Sequence, residues 1–239
     1  MRAGEEPRSS TRALGRSQGF SSPALVAAIV TTLFALAGCK VVHDEPSSEG
    51  GAPAPHAQAG FDAAAYVNGL WSSRVTPFLA GKAIDVAELL PALAADPEEA
   101  GKKFGHRADA EGSPWSFAVK GRGRVVSTST ASRAGTMVVE VKAGGAARLV
   151  TLQIGPVVRG SALRDCLPFF SFGDVKNQIE FAQIGRAMND QALKAVQGQV
   201  QALGAAGTEV AFTGATSLTG AETLLITPAS LTPAGGGAQ

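Results

Sequence analysis

The chain has 239 residues, 45% of them hydrophobic and 17% charged, with a formal net charge of +1. That balance fits a folded, exported chain and leaves no broad electrostatic footprint for nucleic acid. Two cysteines, Cys39 and Cys166, are too few for a disulfide framework and form no CxxC redox motif.

In chain order, the first twenty residues carry Arg2, Arg8, Arg12 and Arg16 against Glu5 and Glu6. From Ala24 to Leu36 there is no charge, but the run is shorter than the roughly 18–20 residues a spanning helix needs. A basic start, a short apolar core and small residues before a cut mark a secretory signal. Leu36-Ala37-Gly38-Cys39 resembles the lipobox of bacterial lipoproteins. There, diacylglycerol is attached to the cysteine sulfur before a peptidase cleaves in front of that residue. Small residues let an extended backbone enter the peptidase, and the thiol is the acyl acceptor. Residues 1–38 are therefore expected to be a lipoprotein signal peptide and Cys39 the lipidation site. At roughly 0.8 kcal/mol per buried methylene, the acyl chains make anchoring to membrane lipid effectively permanent. The folded part is expected on the periplasmic face of the bacterial cell envelope. Lys40 is not the aspartate associated with inner-membrane retention, so either membrane is open. Cys166 is left without a partner and reads as a small buried hydrophobe.

Residues 39–60 are rich in Pro, Gly, Ala and Ser and read as a lipidated flexible tether. "TPAGGGAQ" (232–239) is an expected disordered tail. Between them, residues 61–112 read as helical. Asp62 caps a helix with Val67, Trp71, Val75 and Phe78 on one face, stopping near Gly81. "DVAELLPAL" opens with Asp85 and Glu88 at capping-box spacing. "ADPEEAGKKFG" has Asp96 as cap, Pro97 at the first helical position, acids early and lysines late.

From residue 113 the period changes. "WSFAVKGRGRVVSTSTAS", "GTMVVEVK" and "ARLVTLQIG" alternate as strands, separated by the turn signals "SRAG" and "AGGA". A helix follows with Phe181, Ile184, Met188, Ala192 and Val196 on one face. "TEVAFTGATSL" and "ETLLITPASL" are two last strands. Three strands, a helix and two strands is the order of an OB-like five-stranded antiparallel Greek-key barrel with a helix between strands 3 and 4. The expected fold class is thus α+β, with the N-terminal helices packed on a barrel over 113–231. Arg122, Arg124 and Arg133 read either as a small anion patch or as charges guarding a sheet edge.

The segment 154–190 needs its own explanation. It joins the third strand to the helix through a long loop that interleaves Arg159, Arg164, Asp165, Asn177, Gln178 and Glu180 with Phe169, Phe170 and Phe172. Long loops in compact domains are usually functional or hold further structure. Charged groups among aromatics suit a sugar-like ligand or a protein partner. The alternative is that the phenylalanines plug the barrel's open end while Arg164 and Asp165 pair locally.

"FDAAAYVNGLWSSRVTPFL", "GSPWSFAVKGRGRVV", "SRAGTMVVEV", "LQIGPVVRGSALRD" and "SFGDVKNQIEFAQIGRAMN" together resemble the predicted periplasmic lipoprotein family called domain of unknown function 2291. The resemblance runs from Cys39 to Leu231. The family supplies no catalytic residues. Its genes often lie beside sugar-type ABC transporters, which implies an accessory role in carbohydrate uptake.

Enzyme signatures are lacking: there is no GxSxG elbow, HExxH, P-loop or dinucleotide GxGxxG. "GRGRVV" enters a strand and is no phosphate cradle. A metal would have to use His106 as the one histidine of the domain, short of the three or four converging ligands required. Asp165 with Asp174 or Glu180 is the one candidate carboxylate pair. No catalytic residue, metal or cofactor is therefore expected. Two functions remain. One is an accessory or scaffold docking an ABC transporter component through residues 159–180. The other is a lipoprotein binding a small carbohydrate directly, with Arg159, Asp165, Asn177 and Gln178 as hydrogen-bonding groups near Trp115; Arg164 and Glu180 complete the candidate set for either function.

Overall fold

The computed structural model describes residues 61–108, 112–218 and 223–235. Cys39, the signal segment and the tether lie outside them. The first helical run is α1 (Ala63–Leu70), a π-helical turn (Trp71–Val75) and α2 (Thr76–Lys82). Asp62 starts it by accepting from the backbone N–H groups of Ala64 and Ala65. The π turn resolves two local problems. Pro77 has no N–H to donate into the preceding turn, and Trp71 O instead accepts from both the backbone N–H and the Oγ1 hydroxyl of Thr76. The wider turn also holds Val67, Trp71, Val75 and Leu79 on one buried stripe at a spacing of four, which a pure α-helix would rotate away. Leu79, rather than the expected Phe78, closes the stripe; Phe78 is half-buried against Phe169.

A two-residue strand β1 (Ile84–Asp85) precedes α3 (Val86–Ala95) and α4 (Pro97–Phe104). Asp85 and Asp96 cap them as expected, Asp85 by accepting from Ala87 N and Asp96 from Glu98 N and Glu99 N.

The barrel consists of β2 (Ser116–Ser129), β3 (Thr136–Ala143), β4 (Ala146–Gln153), β5 (Glu209–Ser217) and β6 (Leu225–Pro233). Its order, β2-β3-β4-β6-β5 with β5 returning to β2, closes the sheet. Between β4 and β5 stand a short helix α5 (Ala162–Asp165), a 3-10 turn (Phe172–Asp174) and the 26-residue α6 (Gln178–Leu203). This is the expected OB-like α+β architecture, with two refinements. The closing pair β4–β6 is parallel, and β1 adds a short parallel strand to β2. The helical segment thus contributes a strand to the sheet. β6 also reaches Pro233, two residues into the segment expected to be disordered tail.

β2 spans both halves of the barrel, pairing with β5 over 116–124 and with β3 over 124–129. Gly123 makes the crossover possible: a Cβ there would lie 2.1 Å from Glu140 O.

Two cores follow from strand alternation. Inside the barrel, Phe117, Val119, Met137, Val139, Leu152 and Phe212 are closed over by Val86 and Leu89 of α3. Outside it, the small residues Ala118, Ala215 and Ala229 leave room for a helical layer built from the α1–α2 stripe, Leu163 and Leu167, and Ile184 and Met188 of α6. Phe169 and Phe170 join this outer layer, so the barrel's interior is stoppered by α3 and not by the loop phenylalanines.

Candidate functional site

The 154–177 segment is ordered from its base outward. Gln153, the last residue of β4 and 5% exposed, grips Arg159 at both backbone groups. Its Oε1 accepts from Arg159 N at 2.8 Å, and its Nε2 donates to Arg159 O at 3.1 Å and to Thr227 Oγ1 at 3.0 Å. Next along, Asn189 of α6 donates through Nδ2 to Gly160 O at 3.0 Å, where the chain turns through φ +79°. Its Oδ1 is buried without a partner. Two buried amides therefore pin the loop where it leaves the barrel. Neither carries a motif in the sequence; the readable trace of Gln153 is a polar residue ending an apolar strand.

Arg164 lies at the centre of the next layer. Its Nε donates to Asp165 Oδ1 at 2.7 Å, Nη1 to Phe181 O at 2.9 Å, and Nη2 to Ser161 Oγ at 3.0 Å. The Nη2 to Asp165 Oδ1 distance is 2.6 Å. Ser161 Oγ donates in turn to Asp165 Oδ2 at 2.6 Å. The guanidinium stacks 3.6 Å from the Phe181 ring centroid, and the Arg164 side chain is 12% exposed. A planar fork filled in this way has little left for a ligand. His106 adds a long-range strut, its Nδ1 donating to Asp165 O at 2.8 Å.

Asn177 and Glu180 are likewise engaged. Asn177 Oδ1 caps α6 by accepting from Ile179 N and Glu180 N at 3.0 Å each. Glu180 accepts from Lys176 N at 3.0 Å. Asp174 accepts from Ser171 N and Oγ. The carboxylates weighed as a hydrolytic pair are thus held in three separate local tasks. Arg159 and Gln178 have exposed side chains. Trp115 does not join the group: its Nε1 donates to Glu98 at 2.8 Å, Arg107 stacks on its ring, and the ring lies over Gly101 of α4.

An aromatic row covers this polar frame. Phe170 stacks on Phe181 with centroids 5.7 Å apart, Phe172 meets Phe181 edge-on at 5.5 Å, and Tyr66 extends the row to Phe170 at 6.3 Å. At its outer end Phe172 is 49% exposed, and Ile179, in the first turn of α6, is 53% exposed. Cys166, by contrast, is fully enclosed, and burial pushes its thiol far above the ordinary range. A groove of about 890 Å³ lies elsewhere, between α3, the β3–β4 hairpin and the ends of β5 and β6. Among the described residues, no group of three or more His, Cys, Asp or Glu converges as metal ligands do.

Residues 28–232 match the family described as "Predicted periplasmic lipoprotein (DUF2291)". Among solved structures, the chain is similar to an OB-fold protein from Thermotoga maritima, with a TM-score of 0.60 and 18% identity over 73% of this chain and 99% of that one. At that identity the likeness carries the fold alone. No curated protein matches the chain.

Proposed function

From the premise that the chain belongs to the DUF2291 family of predicted periplasmic lipoproteins, we propose that it is a non-enzymatic accessory that docks a component of a carbohydrate ABC transporter through the 159–180 segment. The protein is a lipid-anchored resident of the bacterial envelope on its periplasmic side. One observation carries the docking reading. The polar side chains at the centre of the segment are bonded to one another, while Phe172, edge-on to Phe181, and Ile179, in the first turn of α6, stand half-exposed in the same segment. Carbohydrate recognition needs free hydrogen-bonding groups in a concave site; docking needs a supported aromatic surface with arginine nearby.

The test is photo-crosslinking in the native envelope from probes placed at the exposed neighbouring positions Lys176 and Gln178. Crosslinks to a carbohydrate permease or its binding protein, lost in Phe172→Ser/Ile179→Ser with an unchanged thermal midpoint, are the expected result. A thermal screen against pentoses, hexoses and polyols is the counter-test. A ligand at one hundred times its Kd stabilises a fold by about 2.7 kcal/mol, so a selective upward shift would replace docking by direct carbohydrate binding.

A further inference from the structure

We propose that the outward face of β2 and β3, carrying Lys120, Arg122 and Lys142, is a membrane-facing surface that rests on anionic phospholipid headgroups of the bilayer holding the lipid anchor. The whole chain carries a net charge of only +1, but its charge is unevenly placed. From β2 to the end of β4 there are six basic residues, Lys120, Arg122, Arg124, Arg133, Lys142 and Arg148, against the single acid Glu140. Charges on a strand often guard an open edge. β2 is paired with β5 over one half and with β3 over the other, which leaves much of each half with one unpaired side, but Lys120 has register partners on both sides, Asp85 of β1 and Thr213 of β5, so edge protection does not account for it.

Neutralisation within the face is limited to Arg124. It lies 3.2 Å from Glu209 and opposite Glu140 in register. Lys120, Arg122 and Lys142 are exposed and form no ion pair among the described residues. Arg122 and Lys142 each lie two residues from the Arg124–Glu140 pair along their strands, and alternation keeps them on its outward side. Asp85 is the register partner of Lys120, but its carboxylate is occupied in capping α3. Two large apolar residues, Val126 at 46% and Leu149 at 50% exposure, accompany the cations. Exposed cations interleaved with single apolar side chains match the chemistry of a phosphate-rich, partly apolar headgroup layer.

The anchor brings the two together. The 21 residues numbered 40–60 separate Cys39 from Phe61 and span at most about 75 Å. A domain of this size has a radius of gyration near 16 Å. Every face can therefore reach the bilayer, and tethering makes a weak surface contact effectively intramolecular. A cationic face then selects the orientation in which the domain rests.

The experiment uses the full acylated protein in vesicles. Cys39 is acylated and Cys166 enclosed, so an introduced surface cysteine takes a fluorophore alone. Ala147→Cys, opposite Lys142 in register, and Ser127→Cys report on the face; Ala64→Cys, exposed on α1 in the outer helical layer, is the reference. The quencher is a spin-labelled headgroup lipid, in phosphatidylcholine vesicles with or without phosphatidylglycerol. Quenching at 147 and 127 should exceed that at 64 several-fold with phosphatidylglycerol present. It should fall to the reference level when salt rises from about 0.1 M to about 1 M, which shortens the screening length from about 10 Å to about 3 Å. It should also be lost in K120E/R122E/K142E, or in K120Q/R122Q/K142Q should the reversal unfold the protein. Equal quenching at all three labels, or on phosphatidylcholine alone, overturns the proposal. So does shielding of the two labels from a soluble quencher in detergent without vesicles, which would give the face to the chain's own acidic run at 44–49.

Discussion

At the scale of single residues, Arg164 shows how a charged side chain in a long loop becomes structural. Its donors reach Asp165, Ser161 and the carbonyl of Phe181, which ties α5 to the first turn of α6. Arg164→Ala leaves Asp165 with Ser161 as its side-chain partner, and it removes the cation over Phe181. Losing one partner of a largely buried pair is costly because the other stays desolvated, so urea unfolding should show a loss of about 2 kcal/mol. Arg164→Lys should recover only part of it, because an ammonium cannot fill a planar fork.

Cys166 gives a pH-dependent companion result. Burial raises its thiol pKa above the ordinary 9.0, so above pH 9 the native state keeps a proton that the unfolded state releases. Stability is then unaffected below that value and falls above it by up to about 1.4 kcal/mol per pH unit. Alkylation of Cys166 at pH 8 should require unfolding, and labelling of the native protein would refute the enclosure.

At the scale of elements, the contact between α4 and the start of β2 rests on one glycine. A Cβ on Gly101 would lie 2.4 Å from the Trp115 ring, while that ring is fixed by its bond to Glu98 and the stacked Arg107. Gly101→Ala improves helix propensity yet forces the indole off its seat. A net destabilisation of about 1–3 kcal/mol is expected, accompanied by a shift in tryptophan emission. The stripe from Val67 to Leu79 makes a related point. Its apolar pattern is legible in the sequence, but a period of 3.6 residues per turn places Phe78 rather than Leu79 at its end. The π turn at Trp71–Val75 changes that count, and the signal for it was Pro77 inside a helical pattern.

At the scale of the whole molecule, the anchor and the fold are separable. Cys39→Ser should leave the domain's thermal midpoint unchanged and move the protein from the membrane to the soluble periplasmic fraction on cell fractionation. Continued membrane association after that change would mean that protein contacts, rather than acyl chains, hold it there. The two exposed surfaces proposed here, the Phe172–Ile179 end of the loop and the cationic side of β2 and β3, belong to different elements. Substitutions at one should therefore leave the readout of the other intact.

By itself the sequence determined what depends on local chemistry and chain order. That covers the capped helices at Asp62, Asp85 and Asp96, and five alternating strands with a helix after the third. These are readable because caps, turns and alternation act over a few residues. Only the tertiary structure decided what depends on residues distant in the chain. It closed β4 on β6 in parallel, and it placed α3 over the barrel interior, where phenylalanines of the loop were one expectation. It drew Arg164, Asp165, Asn177 and Glu180 into internal bonds and left Trp115 with α4. A polar side chain in a sequence is equally suited to a ligand and to a buried neighbour. Which one it meets is set by the neighbours that packing delivers, as Gln153 and Asn189 show where they grip the loop.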